Sequence, residues 1–161
     1  KEWVFNHVVP LIDAAKIAWM EAPEWQELRH AIEDMFVLDD WFELMVAQNF
    51  VLDGLIFPLI YNRFEKKLTK EGGATVAMLT EFMDDWYAET VRWSNALAKV
   101  TVKESDANKT LVSEWVAKWT SRLTAAVEPI ALKAFGAEGI NELAEVKQEL
   151  LTRLGKQGVT V

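Results

Sequence analysis

The stretch WFELMVAQNFVLDGLIFPLI, residues 41–60, decides the fold, because it is apolar on almost every side of a helix. A helix without a polar face is buried in a core or in a membrane. Its most apolar part, residues 50–61, is short for a bilayer span and is interrupted by Asp53. We therefore expect a central buried helix over about residues 40–69, with a kink at Pro58.

Apolar residues at helical spacing continue on both sides of this segment, and nothing reads as a substantial strand. The predicted helices before and after it cover about residues 3–20, 23–35, 75–103, 107–135 and 138–154. Breaks fall at Gly72-Gly73, at the polar run KESDANK (103–109) and at Gly136. Asp39 or Asp40 is expected to cap the central helix, and Asp106 or Asn108 to start the fifth helix.

The chain of 161 residues is therefore predicted to be all-α and to form one helical domain. Leading helices occupy 1–38, three long core helices 39–135, and a C-terminal helix 137–155. The chain lacks an initiator Met and begins in what reads as mid-helix, so we expect it to be the C-terminal part of a longer subunit.

Tryptophan is unusually frequent, with eight residues. Trp86 and Trp93 are seven residues apart and share a helix face, which predicts a core seam. Trp115 and Trp119 are four apart and fit either the core or an anchor for a partner helix.

The net charge of −8 and the pI near 4.8 argue against nucleic acid and anionic membrane surfaces as partners. The absence of cysteine excludes disulfides, thiolate metal ligands and Cys nucleophiles within this sequence. No signal peptide is recognisable, and we expect a cytoplasmic location.

Metal and catalytic motifs are sparse. Glu27 and His30 form a Glu-x-x-His pair, of which a carboxylate-bridged di-iron bundle needs two. The other histidine, His7, has Val4 where the carboxylate would stand, so we interpret Glu27 and His30 as structural. Asp39-Asp40 and Asp84-Asp85 read as solvated caps and faces, and neither a nucleophile elbow nor a phosphate-binding glycine loop is present.

Three stretches nevertheless resemble the β subunit of the hydroxylase component of bacterial multicomponent monooxygenases, especially of the phenol hydroxylase and toluene monooxygenase type. They are EAPEWQELRHAIEDMFVLDDWFELMVAQNFVLDGLIFPLIY (21–61), MLTEFMDDWYAETVRWSNALAKV (78–100) and SEWVAKWTSRLTAAVEPIALKAF (113–135). The resemblance implies a ferritin-like helical bundle without a functional metal site, and no catalytic, cofactor-binding or metal-ligating residue in this chain.

The resemblance also implies partners. The di-iron centre, which activates O2 with electrons from NADH, would lie in the hydroxylase α subunit. The β subunit would join α, a γ subunit and a second β subunit in an (αβγ)2 complex, with a regulatory protein and a reductase binding transiently.

Three positions follow from the same resemblance as vestiges of a metal site. Within residues 88–95, Glu89 matches a carboxylate of the α-type motif, and Arg92 stands where that motif has its ligating His. Asp53 stands where α has a Glu ligand. Since a guanidinium has no lone pair for iron, we expect Arg92 to be a buried cation paired with Glu89 or Asp53.

Two other functions stay open. An active ferritin-like di-iron oxidase would need the second Glu-x-x-His that the sequence lacks. A stand-alone helical bundle could instead bind an apolar small molecule between its Trp-rich helices.

Overall fold

The computed structural model describes residues 2–161, with the side chains of all of them except residues 2–9 and Val76. We number its helices α1 (Glu2–Glu21), α2 (Pro23–Phe36), α3 (Trp41–Lys70), α4 (Ala74–Thr80), α5 (Phe82–Glu104), α6 (Asp106–Phe135) and α7 (Gly139–Gly155). A 3₁₀ turn, Gly136–Glu138, connects α6 to α7. No strand occurs in residues 2–161, which confirms the all-α prediction.

The helix ends have local causes. Asp40 Oδ1 accepts a hydrogen bond from the Phe42 N–H at 2.8 Å and caps α3. At the start of α6 the cap is Ser105, whose Oγ accepts from the Asn108 N–H at 3.1 Å. The helix thus begins at Asp106, one of the two residues expected to start it, and the residue before it supplies the cap. Gly136 ends α6 with φ 64°, a conformation that a residue without Cβ adopts readily.

The long helix α3 is not uniformly α-helical. Residues Val46–Leu52 and Phe57–Phe64 are π-helical, with hydrogen bonds shifted to the fifth residue along. Pro58, where a kink is predicted, lies at the start of the second π-helical segment. Single π-helical turns are rare and often lie at functional sites, so two segments in one helix mark α3 as unusual.

The core is organised around α6. Helices α2, α3, α5 and α7 all pack against it. Phe50, Leu55 and Leu59 of α3 are completely buried, as are Leu123 of α6 and Leu154 of α7. The apolar stretch of α3 is thus central, as expected, but the core also includes α2 and the C-terminal helix, outside residues 39–135.

Helix α5 faces the opposite way from the prediction. Its buried residues are the small Thr90, Ser94 and Ala98 together with Val102, and these allow a close approach to the rest of the bundle. Trp86 and Trp93, predicted to form a core seam, are 60% and 40% exposed. The sequence pattern identified the apolar face correctly, but that face points away from this chain's core.

By length and hydropathy alone, α3 could cross a membrane. A core helix of a folded bundle passes the same test, and 39% of its most apolar window is buried inside the chain. The apolar character of α3 is therefore accounted for in part by burial in the bundle.

Candidate functional site

A polar centre lies between α3, α5 and α7, and its principal residue is Arg153 of α7. Its guanidinium donates from Nη2 to the Phe50 carbonyl at 3.1 Å, and from Nη1 to Asn95 Oδ1 at 3.0 Å. Ser94 Oγ lies 3.5 Å from the same Nη1. One side chain thus joins three helices. Its neighbours within hydrogen-bond distance are neutral oxygens, so the cation is solvated by the protein rather than paired in a direct salt bridge.

Asp53 is the acidic residue of this centre. Asn49 Nδ2, one helical turn earlier, donates to Asp53 Oδ2 at 3.1 Å. Burial raises the pKa of Asp53, while the hydrogen bond from Asn49 and the charge of Arg153 oppose that rise. Burial also raises the pKa of Tyr87, which stacks on Phe57 with ring centroids 5.1 Å apart. Burial lowers the pKa of Arg153, and the neighbouring Tyr87 and Asp53 oppose that change.

The local sequence explains how Arg153 reaches α3. Gly54 has no side chain, and Leu150 and Arg153 occupy the space that one would need, because a Cβ at this position would lie 2.7 Å from Leu150 Cδ1 and 3.1 Å from Arg153 Nη2. Phe50 belongs to the first π-helical segment, where the wider turn displaces carbonyls from the ordinary helical pattern. A missing side chain and a displaced carbonyl together admit the guanidinium.

The three positions that the resemblance marks as vestigial do not come together. Arg92 pairs with Glu89 at 2.6 Å on the surface of α5, with their side chains 75% and 64% exposed. Asp53 alone of the three lies inside the bundle, beside Arg153. The expectation of Arg92 as a buried cation is therefore wrong in this chain, where Arg153 is the cation of the interior. The only sequence signal for it was Gly54, a glycine within an apolar helix.

The donor set does not fit a di-iron centre. Among the side chains that the structure describes, no group of three or more His, Cys, Asp or Glu is placed to hold a metal ion. The neighbours of Asp53 are an amide and a guanidinium, which offers no lone pair. These residues therefore do not assemble the ligand set of a di-iron centre.

The remaining acidic and histidine candidates have ordinary surroundings. Glu27 accepts a hydrogen bond from Arg122 Nη1 at 3.3 Å, and the exposed His30 lies 3.0 Å from Arg29 Nη2. The side chain of His7 lies outside those that the structure describes. Besides the cap Asp40, the acidic residues Asp39, Asp84 and Asp85 are exposed.

The two candidate anchor tryptophans differ. Trp119 is only 2% exposed, and its Nε1 donates to Glu43 Oε1 at 2.9 Å, so it belongs to the core. Trp115 is half-buried against Phe42, with ring centroids 6.3 Å apart. Phe42 in turn meets the exposed Trp41 edge to face at 5.4 Å. Trp41, rather than Trp119, is thus an aromatic residue that this end exposes to a partner.

A second surface is larger. We call the exposed large apolar residues along α4 and α5 the α5 stripe: Met78, Leu79, Phe82, Trp86, Trp93 and Val100. Their exposed fractions run from 40% to 69%. Contiguous exposed apolar residues of this size mark interaction sites, unlike single scattered ones.

Comparison with known proteins identifies the class. The family model described as methane/phenol/alkene hydroxylase matches residues 6–105. Oxygenase component DmpL of phenol 2-monooxygenase from Pseudomonas sp. (strain CF600) is 49% identical over 92% of this chain and 44% of the relative. Oxygenase component MhpL of phenol 2-monooxygenase from Acinetobacter pittii (strain PHEA-2) is 35% identical over 92% of this chain and 45% of the relative.

A solved structure agrees. The crystal structure of xenon-pressurized phenol hydroxylase from Pseudomonas sp. OX1 superposes with a TM-score of 0.88 at 39% identity. The match covers 93% of this chain and 45% of that chain. The chain thus spans less than half the length of the relatives it matches.

The fold and these matches define a ferritin-like helical bundle of the kind found in phenol hydroxylase. The chain belongs to the methane/phenol/alkene hydroxylase family and within it to the phenol hydroxylase type. The resemblance found in the sequence is confirmed.

Proposed function

We propose that this chain is part of a non-catalytic structural subunit of a hydroxylase that oxygenates aromatic compounds such as phenol. In this proposal the di-iron centre belongs to a larger α subunit. The present chain supports the helices of that subunit and helps to close an (αβγ)2 hydroxylase in the cytoplasm. A regulatory protein and an NADH-dependent reductase bind the assembly transiently.

The observation that carries this proposal is the composition of the polar centre. A bundle that binds iron directs several carboxylate and imidazole ligands into its interior. Here Arg153 lies beside the interior carboxylate of Asp53, and Glu89 points outwards. A fixed cation at this place opposes the binding of a second cation and contributes to packing instead.

The exposed apolar surface supports a role within an assembly. Besides the α5 stripe, large apolar side chains are exposed on α1 and around the start of α3: Leu11, Ile12, Ile17, Met20, Phe36, Val37 and Trp41. Separate surfaces of this kind favour more than one partner contact. The two phenol 2-monooxygenase relatives are themselves oxygenase components.

One observation favours a second candidate function, a stand-alone bundle that binds an apolar small molecule. A groove of about 340 Å³ lies between α2, α3 and α6. Its lining includes Trp25, Leu28, Ile32, Ile56, Ile60 and Ile130. Its volume suits a small aromatic compound.

Native mass spectrometry tests the proposal. The full-length protein is expressed together with the other proposed hydroxylase subunits and purified under mild conditions. We expect an assembly that contains a larger subunit in equal number with this one. A monomer that stays monomeric when the larger subunit is supplied contradicts the proposal. A monomer that gains the mass of added phenol would favour the stand-alone bundle.

A further inference from the structure

We propose that the groove between α2, α3 and α6 binds a small, uncharged aromatic molecule with one hydrogen-bond donor, such as a phenol, and that Asp53 accepts this hydrogen bond. The inference goes beyond the proposed structural role, because it assigns a ligand site to the chain itself. It requires neither the di-iron centre nor a partner subunit, since every residue that it uses belongs to this chain.

The walls of the groove are apolar and come from separate helices. Trp25 and Ile32 line it from α2, and Ile56 and Ile60 line it from α3. The ring of Trp25 packs against that of Trp19, with centroids 6.2 Å apart, which holds this wall in place. The volume of about 340 Å³ lies in the range of small-molecule sites. The shape therefore suits a compact apolar ligand.

The polar group of the groove is the carboxylate of Asp53, the only charged side chain among the described residues that line it. Its Oδ2 accepts the hydrogen bond from Asn49, whereas its Oδ1 accepts none from the part of the chain that the structure describes. Burial raises the pKa of Asp53, as expected for a carboxylate that has lost water without gaining a full set of donors. A ligand that brings one donor of its own would satisfy the second oxygen.

The charges at this place favour an uncharged ligand. The positive charge of Arg153 acts on Asp53 and offsets the attraction of the carboxylate for a protonated amine. The carboxylate itself repels an anion such as benzoate. A neutral hydroxyl group meets neither obstacle and supplies one proton to Asp53 Oδ1.

The aromatic part of the lining favours a ring over an alkyl chain. Trp25 and Tyr61 lie on the lining together with the aliphatic residues, and aromatic pairs contribute more than their buried area alone. An aromatic ring with a single hydroxyl group thus matches the shape, the polarity and the charge of the groove.

Fluorine NMR tests the site with 4-fluorophenol, titrated with the intact, full-length protein. 4-Fluoroanisole is the matched probe, because it has the same ring and an ether oxygen that carries no proton. We expect saturable binding of 4-fluorophenol at the groove and about tenfold weaker binding of 4-fluoroanisole. That factor is typical of one hydrogen bond to a charged acceptor.

A pair of variants assigns the signal to the groove, even if another subunit binds the same probe. Asp53→Asn keeps the shape of the side chain but removes its charge, and should weaken the binding of 4-fluorophenol at this site about tenfold. The affinity for 4-fluoroanisole should stay unchanged. Asp85→Asn, at an exposed position of α5, is the matched control and should alter neither affinity.

Crystals of the same protein soaked in 4-bromophenol locate the ligand, because the anomalous signal of bromine marks the ring. We expect bromine between α2, α3 and α6, with the hydroxyl oxygen within about 3 Å of Asp53 Oδ1.

Equal affinity of 4-fluorophenol for the natural protein and for Asp53→Asn overturns the inference. So does a groove without bromine, or one filled by a part of the polypeptide outside these 161 residues. Bromine in the groove with no effect of Asp53→Asn would show binding at crystal concentration only, and likewise contradicts the assignment. None of these results bears on the structural role, which fails only if native mass spectrometry finds no larger subunit.

Discussion

The Arg153 guanidinium donates to the main-chain carbonyl of Phe50 at 3.1 Å and thereby ties α7 to the first π-helical segment of α3. The same side chain reaches Asn95 on α5. A cation held by oxygens from two other helices stabilises their relative positions without requiring a metal. The proposed structural role of the chain rests on this relationship.

Arg153→Met should lower the free energy of unfolding by about 2–3 kcal/mol, since it leaves polar groups of α3 and α5 without their charged donor. Arg92→Met is the matched control. It removes an exposed ion pair and should cost less than about 1 kcal/mol. Urea unfolding of the full-length subunit followed by circular dichroism compares the two. Equal losses would show that Arg153 is no more structural than a surface arginine.

Gly54→Ala should destabilise the contact between α3 and α7 by about 1–3 kcal/mol, because the added methyl group overpacks the space occupied by Leu150. Gly155→Ala, at the end of α7, places its methyl group in open space and should be neutral or slightly stabilising. Thermal unfolding of both variants checks the expectation. A neutral Gly54→Ala would mean that α7 can move away from α3 at little cost.

The two classes of tryptophan should respond differently to truncation. Trp119→Ala removes a buried ring and its hydrogen bond to Glu43, and should cost about 3–5 kcal/mol. Trp86→Ala removes a ring that is 60% exposed and should cost less than about 1 kcal/mol in the unassembled subunit. Urea unfolding measures both, and a reversed order would mean that α5 packs with its stripe inwards.

The pH dependence of stability should report on Asp53. Because burial raises its folded-state pKa, the folded chain holds this proton to a higher pH than the unfolded chain. The stability contributed by the protonated form is therefore fully present below the unfolded pKa. It is lost as the pH rises through the raised folded pKa.

Asp53→Asn removes this titration. An Asp in the unfolded chain has a pKa near 4. The variant should therefore gain stability relative to the natural chain as the pH rises from about 4 to 7. Urea unfolding at a series of pH values measures the difference. A difference that stays constant with pH would contradict a raised pKa for Asp53.

The positions of the helices could be predicted from the sequence because their signals are local. Apolar residues at helical spacing predicted helices over 40–69 and 107–135, and the observed bounds are Trp41–Lys70 and Asp106–Phe135. Gly72-Gly73 and Gly136 marked the breaks. Capping was less predictable, since Ser105, Asp106 and Asn108 are all competent caps within four residues.

The face of α5 was not predictable in the same way. An apolar stripe indicates that something covers it, but not whether that is the same chain or a partner. For Trp86 and Trp93 the usual assumption of burial in the chain's own core was wrong, because the small residues Ser94 and Ala98 pack more closely.

The polar centre was missed for a different reason. Helical periodicity assumes 3.6 residues per turn, whereas the π-helical segments of α3 change which residues face α7. Arg153 is separated from Phe50 by most of the chain, so no local pattern links them. The cation expected from the family resemblance was Arg92, which lies on the surface.

The most direct measurement of the central claim is the iron content of each subunit of the purified hydroxylase, after the subunits are separated under conditions that retain bound metal. We expect all the iron to accompany the larger subunit and none to accompany this one. Iron bound stoichiometrically by this subunit alone, and lost when Asp53 is replaced by Ala, would contradict the account.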